Sequence, residues 1–85
     1  GMLVADAGTT VRVPGIRVAG PLDIVGAGDA CSAAISAALA AGAQPVEAAT
    51  IATLAASITV QQLGTTGTAT PAQLRRRLQE VRRGL

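Results

Sequence analysis

Polar and apolar residues alternate near the start of this chain, whereas apolar residues recur every three or four positions later on, and the change falls at one glycine-rich stretch. Met2-Leu3-Val4-Ala5 and Val11-Arg12-Val13 are short β-prone runs separated by the turn formers Asp6-Ala7-Gly8-Thr9-Thr10, which predicts a hairpin. Val11 and Val13 share one face of the second strand and Arg12 takes the other. Pro14-Gly15 ends that strand, and Ile16-Arg17-Val18 meets Gly20-Pro21 at once, so it reads as a connector to Leu22-Asp23. A first helix is expected from about Ala27 to Ala41, stopped by Gly42, with Ile35 and Leu39 on one face. Its other residues are mostly Ala and Ser, small enough for close backbone packing, so it should lie sandwiched between sheet and helix. A second helix starts at Pro45, where a missing N–H is harmless, with Glu47 near its positive end. It carries one apolar stripe through Ile51, Leu54, Ala55 and Ile58 and is stopped by Gly64. Thr70-Pro71-Ala72-Gln73 opens a third helix with a capping box. Leu74, Leu78 and Val81 form its stripe, and Gly84 ends it.

The stretch where the periodicity changes is Asp23-Ile24-Val25-Gly26-Ala27-Gly28-Asp29. Two glycines leading into a helix start aim free N–H groups at one spot, and the positive end of the helix dipole adds to them, which suits a phosphate. Asp29 does not suit an anion site, since its charge repels what the loop frames. Either it only complements the dipole, at about 0.3–1 kcal/mol, or it takes a proton from a hydroxyl that attacks the bound phosphorus. Taken alone, the loop favours the first reading.

Composition narrows the picture in three ways. The 85 residues are 49% apolar yet contain no Phe, Tyr or Trp, so the core is built without the large side chains that dominate burial. Exposed apolar surface is expected, as in a fragment of a larger fold or half of an assembly such as a homodimer. The net charge is +2, every cation is arginine, and most of these lie between Arg75 and Arg83. Without aromatic residues for base stacking this reads as a solvated helix face, not a nucleic-acid interface. Residues 48–73 are uncharged, but Thr, Ser, Gln, Gly and Pro run all through them, which argues against a membrane span. The single Cys31 forms no internal disulfide, so the cytoplasm is the default location.

Asp23-x-x-Gly26-Ala27-Gly28-Asp29-Ala30, ahead of a small-residue helix and preceded by Val13-Pro14, resembles the C-terminal signature of the ribokinase (PfkB-type) sugar and nucleoside kinases. The agreement continues through Ala40-Ala41-Gly42, Glu47-Ala48-Ala49 and Leu63-Gly64-Thr65. The resemblance implies the C-terminal part of an α/β, ribokinase-like three-layer fold. On that template residues 1–22 are a hairpin and connector, 23–42 the anion-hole loop and catalytic helix, 43–70 a second helix and nucleotide-side loop, and 71–85 the terminal helix. Gly1 matches a glycine frequent in the family, or is a tag remnant ahead of Met2.

Carried over from the family, Asp29 becomes the catalytic base, and Gly26, Ala27 and Gly28 supply the anion hole for ATP. Ala52 and Gly64 border the nucleotide. A monovalent cation such as potassium is held at Asp23, Val25, Thr59, Gln62, Gly64 and Thr68, chiefly by carbonyl oxygens. Ile24-Val25 replaces the family's Thr-Thr and removes hydroxyl ligands from that set. Cys31 stands where a Phe is usual, as a small packing residue or a thiol near the helix start. The Asn-x-x-Glu motif associated with Mg2+ lies upstream in the family, and this chain contains no Asn. The sugar-binding residues also lie upstream, so an N-terminal part is missing and the fragment alone is not expected to catalyse.

The implied activity is transfer of the γ-phosphoryl group of ATP to a hydroxyl of a sugar or sugar phosphate. Gln62-Leu63-Gly64-Thr65 with Thr70-Pro71 looks closest to the bacterial heptose phosphate kinases. The alternatives are a nucleoside kinase and a non-catalytic remnant that binds nucleotide or a partner.

Overall fold

The computed structural model describes residues 1–18, 20–22, 27–62 and 69–84. Two strands, β1 (Met2–Asp6) and β2 (Thr9–Val13), are followed by three helices, α1 (Ala27–Ala40), α2 (Pro45–Thr59) and α3 (Pro71–Arg82). The strands pair antiparallel with Met2 opposite Val13 and Asp6 opposite Thr9. Only Ala7 and Gly8 are left to turn, both at positive φ, 50° and 80°, the backbone of a two-residue type I′ turn. The turn is shorter than the five residues expected because Asp6, Thr9 and Thr10 all join the ladder. Alanine in the left-handed region costs roughly 1–2 kcal/mol, which the pairing on either side must offset.

Met2, Val4, Val11 and Val13 share the hairpin face that meets α2, and Val13 is the most buried of them at 6% exposure. Leu3, on the outer face, is 73% exposed. The two ends of the hairpin cross closely. A Cβ placed on Gly1 would lie 2.8 Å from the Val13 carbonyl oxygen and 2.9 Å from the Gly15 nitrogen, so position 1 takes no side chain without a backbone shift.

α2 is the hub, touching α1, α3 and both strands. The expected single stripe is too narrow, because Ala48, Ala49, Ala52, Thr53, Ser57 and Thr59 are buried together with Leu54, Ala55 and Ile58. A helix enclosed on several sides buries most of its circumference, and periodicity alone does not reveal how many neighbours it has. Its buried hydroxyls are satisfied within the helix. Thr53 Oγ1 donates to the Ala49 carbonyl at 2.8 Å and Ser57 Oγ to the Leu54 carbonyl at 2.7 Å, so polar residues are buried without an unpaired group. The Glu47 carboxylate accepts a bond from the Gln44 N–H at 2.8 Å at the N-terminus. α2 ends at Thr59, with Val60 as its cap, five residues before the expected stop at Gly64.

α1 ends as its sequence predicts. Gly42, at φ 95°, follows the last turn, with Gly42 N–H bonded to Leu39 O and Ala43 N–H to Ala38 O at 3.0 Å, the paired bonds of a Schellman motif. The expected sandwich is not found. α1 packs on α2 and meets neither strand, because the two-stranded sheet is only wide enough to cover α2. α3 opens on its predicted capping box. Thr70 Oγ1 accepts from Gln73 N–H at 3.2 Å, and Gln73 Oε1 accepts from Thr70 N–H at 2.8 Å. None of the described helices is long and apolar enough to cross a membrane.

Candidate functional site

α1 begins at Ala27, which makes Ala27, Gly28 and Asp29 its first three residues. The N–H groups there have no carbonyl inside the helix to bond, and they sit at the positive end of the dipole. Asp29 is exposed in that first turn, with its carboxylate at the mouth of the helix. Gly28 is exposed as well, and among the described residues a Cβ built on it meets nothing within 4 Å. Packing among the described residues therefore does not require glycine at 28.

This leads to a test with opposite signs for folding and binding. Gly28→Ala should raise helix stability by up to about 1 kcal/mol, from propensity alone, while weakening nucleotide binding to the kinase that carries this segment. Thermal unfolding and nucleotide titration of the same variant check both halves. A variant that loses stability, or binds nucleotide as before, would remove Gly28 from the site.

A hollow of about 260 Å3 opens beside this helix start. Gly1, Met2, Gly15 and Ile16 at the hairpin ends form one wall, Cys31 of α1 a second, and Thr53, Ala56, Ser57 and Val60 of α2 the third. Cys31 is half-buried, two residues beyond Asp29 in the chain. A larger groove of about 570 Å3, on α1 between Ala33 and Ala37 and the side chains of Ile51 and Leu74, is lined only by Ala, Ile and Leu. With no polar side chain in its lining, it offers nothing to hold a phosphate.

Of the residues expected at the site, Ala27, Gly28 and Asp29 fall together on one turn. Ala52 does not reach the surface. It is 0% exposed, while the next residue, Thr53, lines the hollow. Asp23, Val25, Gly26, Gly64 and Thr68 lie outside the described residues. Among the positions expected to hold a cation, Thr59 is buried, and its carbonyl accepts a bond from Gln62 N–H at 3.0 Å. The described residues contain no cluster of His, Cys, Asp or Glu able to hold a metal ion.

The arginines do more than coat a helix. Arg77 Nη1 donates to the carbonyl and hydroxyl of Ser57, both at 3.2 Å, and its Nη2 donates to Gln61 Oε1 at 2.5 Å. Its Nε lies 3.2 Å from Glu80 Oε2. Sequence reading missed this role, for which Arg75-Arg76-Arg77 gives no local sign.

The same geometry recurs in known proteins. Residues 1–73 match the model of the pfkB family carbohydrate kinases. The chain is 43% identical over 76 residues to the bifunctional protein HldE of Bradyrhizobium diazoefficiens, a match covering 89% of this chain and 15% of that protein. The crystal structure of ribokinase from Thermotoga maritima superposes with a TM-score of 0.81 at 28% identity, covering 91% of this chain and 26% of the ribokinase. The chain thus spans about a quarter of the one relative and about a sixth of the other. A hairpin and three helices that place a Gly-Asp pair on the first turn of α1, together with a family match across most of its length, make this chain a member of the PfkB carbohydrate kinase family.

Proposed function

We propose that this chain serves as the phosphate-binding and proton-accepting part of a longer kinase, which transfers the γ-phosphoryl group of ATP to a hydroxyl of a sugar or sugar phosphate. The observation that carries this reading is the exposed carboxylate of Asp29 on the same helical turn as the open backbone at Gly28. The free N–H groups at the head of α1 stabilise charge on the phosphoryl group as it moves. Asp29 takes the proton of the attacking hydroxyl.

Magnesium enters with ATP as part of the substrate, and no residue of this chain is assigned to it. A monovalent cation is assigned to carbonyl oxygens around Asp23, Val25, Thr59, Gln62, Gly64 and Thr68. It would lower the charge felt at the anion site without taking part in proton transfer. The likeness of Gln62-Leu63-Gly64-Thr65 with Thr70-Pro71 to the bacterial heptose phosphate kinases favours a sugar phosphate acceptor over a nucleoside.

The test is ADP release by the complete kinase, with ATP and a panel of sugars, sugar phosphates and nucleosides. Release that depends on a sugar or sugar phosphate is the expected result. Release that depends only on nucleosides would move the acceptor to that class. Nucleotide binding without acceptor-dependent release would leave a non-catalytic binding module.

A further inference from the structure

α3 carries its charge in two places. Arg77 and Glu80 are half-buried and pair with each other at 3.2 Å. Arg75, Arg76, Arg82 and the cap residue Arg83 are all exposed. A step of about 100° per residue gathers these four, with Gln79 between them, into about 120° of one helix face. Arg75 stands over Arg82 and Arg76 over Arg83, each pair two turns or about 10.5 Å apart. Among the described residues none of the four makes a hydrogen bond or an ion pair. The positions three and four away from them hold no acid except Glu80, which Arg77 engages. Arg82 and Arg83 suit the negative end of the helix dipole, but Arg75 and Arg76 stand in the second turn, where the dipole gives no reason for them. Removing these four charges would take the chain from +2 to −2, so its excess positive charge is gathered on this face. A face that meets only water ordinarily mixes both signs. Beside Arg76 opens a polar hollow of about 270 Å3, to which Gln61, Gln62 and Gln73 also contribute.

We propose that the Arg75, Arg76, Arg82 and Arg83 face of α3 docks the acidic face of a helix in a separate polypeptide. Guanidinium forks bind carboxylates through two parallel hydrogen bonds, and acids seven residues apart on a facing helix repeat at the same distance of about 10.5 Å. The hollow beside Arg76 takes one more polar side chain of that helix. A lipid surface fits poorly, because Leu74 and Leu78 turn to Ile51 and Leu54 of α2 and leave the arginine face nothing larger than Ala72 to enter a bilayer. A nucleic acid fits poorly as well. Its phosphates run on beyond one helix face, while the rest of this chain is net negative and has no aromatic side chain to stack on a base. The family model ends at residue 73, before the first of the four arginines, which favours a partner from outside the shared kinase fold. The inference is independent of the phosphoryl-transfer reading, since its test reads binding and not turnover.

The experiment titrates the complete kinase that carries this segment with a synthetic helical peptide whose glutamates form two adjacent rows on one face. A second peptide of the same composition has its glutamates spread around the helix. The first peptide is expected to bind, less tightly as salt rises, and Arg75→Gln combined with Arg76→Gln should weaken it about fivefold or more. Arg12→Gln combined with Arg17→Gln removes the same charge from exposed positions on the hairpin and the connector and should change binding about twofold at most. Absence of binding would overturn the proposal. So would equal binding of the two peptides, or equal loss from the two pairs of substitutions, since net charge alone would then be the attraction. A fall of about 5 °C or more in the unfolding temperature of the Arg75 and Arg76 variant by itself would mean that the face is already covered within the kinase. Tighter binding of a DNA duplex, or of vesicles containing phosphatidylserine, would give the face to those partners instead.

Discussion

Asp29→Asn in the complete kinase is expected to lower turnover by about 10²–10⁴-fold, the range for loss of a general base, with nucleotide affinity little changed. Asparagine keeps the shape of the side chain and one acceptor oxygen at the head of α1 but takes up no proton. The attacking hydroxyl would then have to lose its proton to water. Nucleotide binding should hold or improve slightly, because a negative charge leaves the edge of an anion site. The competing account makes Asp29 only a partner of the helix dipole, and it predicts a different pattern. Asp29 is exposed in the first turn, so loss of its charge would then cost about 0.3–1 kcal/mol of stability and leave turnover intact. Turnover and nucleotide affinity measured on one preparation, beside its unfolding temperature, decide between the two.

The site was readable in the chain to the extent that its parts are local. The first turn of α1 and its Schellman end at Gly42 depend on residues within five positions of one another, and so does the capping box from Thr70 to Gln73. Each matches its prediction because neighbouring residues decide the backbone there. What escaped depends on residues far apart in the chain. The burial of α2 on several sides comes from a hairpin more than thirty residues earlier and a helix more than ten later. Small residues were legible as a sign of close packing, but they do not say what packs there.

Arg77 is the long-range contact with the largest expected effect on stability. α3 has no buried residue, and among the described strands and helices it touches α2 alone. Its stripe of Leu74 and Leu78 is only half-buried, and Val81 is exposed, so apolar area holds it weakly. Arg77 reaches across to the last turn of α2, where its Nη1 donates to the Ser57 carbonyl, while the Gln61 N–H donates to the Ile58 carbonyl. The guanidinium satisfies that carbonyl and places positive charge at the negative end of the α2 dipole. Its bond to the Ser57 hydroxyl adds to this, while the partly exposed pair with Glu80 contributes little. Arg77→Ala should cost about 2 kcal/mol, the middle of the range for hydrogen bonds to a charged group. In a chain of this size that is a fall of about 10 °C in the unfolding temperature. Amide exchange in α3 should speed up before that in α2, since the contact is the main tie between them. Arg77→Lys should restore only a small part, because one ammonium does not span the Ser57 and Gln61 oxygens as the planar fork does. Full recovery with lysine would mean that charge alone docks α3, and an unchanged Arg77→Ala would mean that Leu74 and Leu78 suffice.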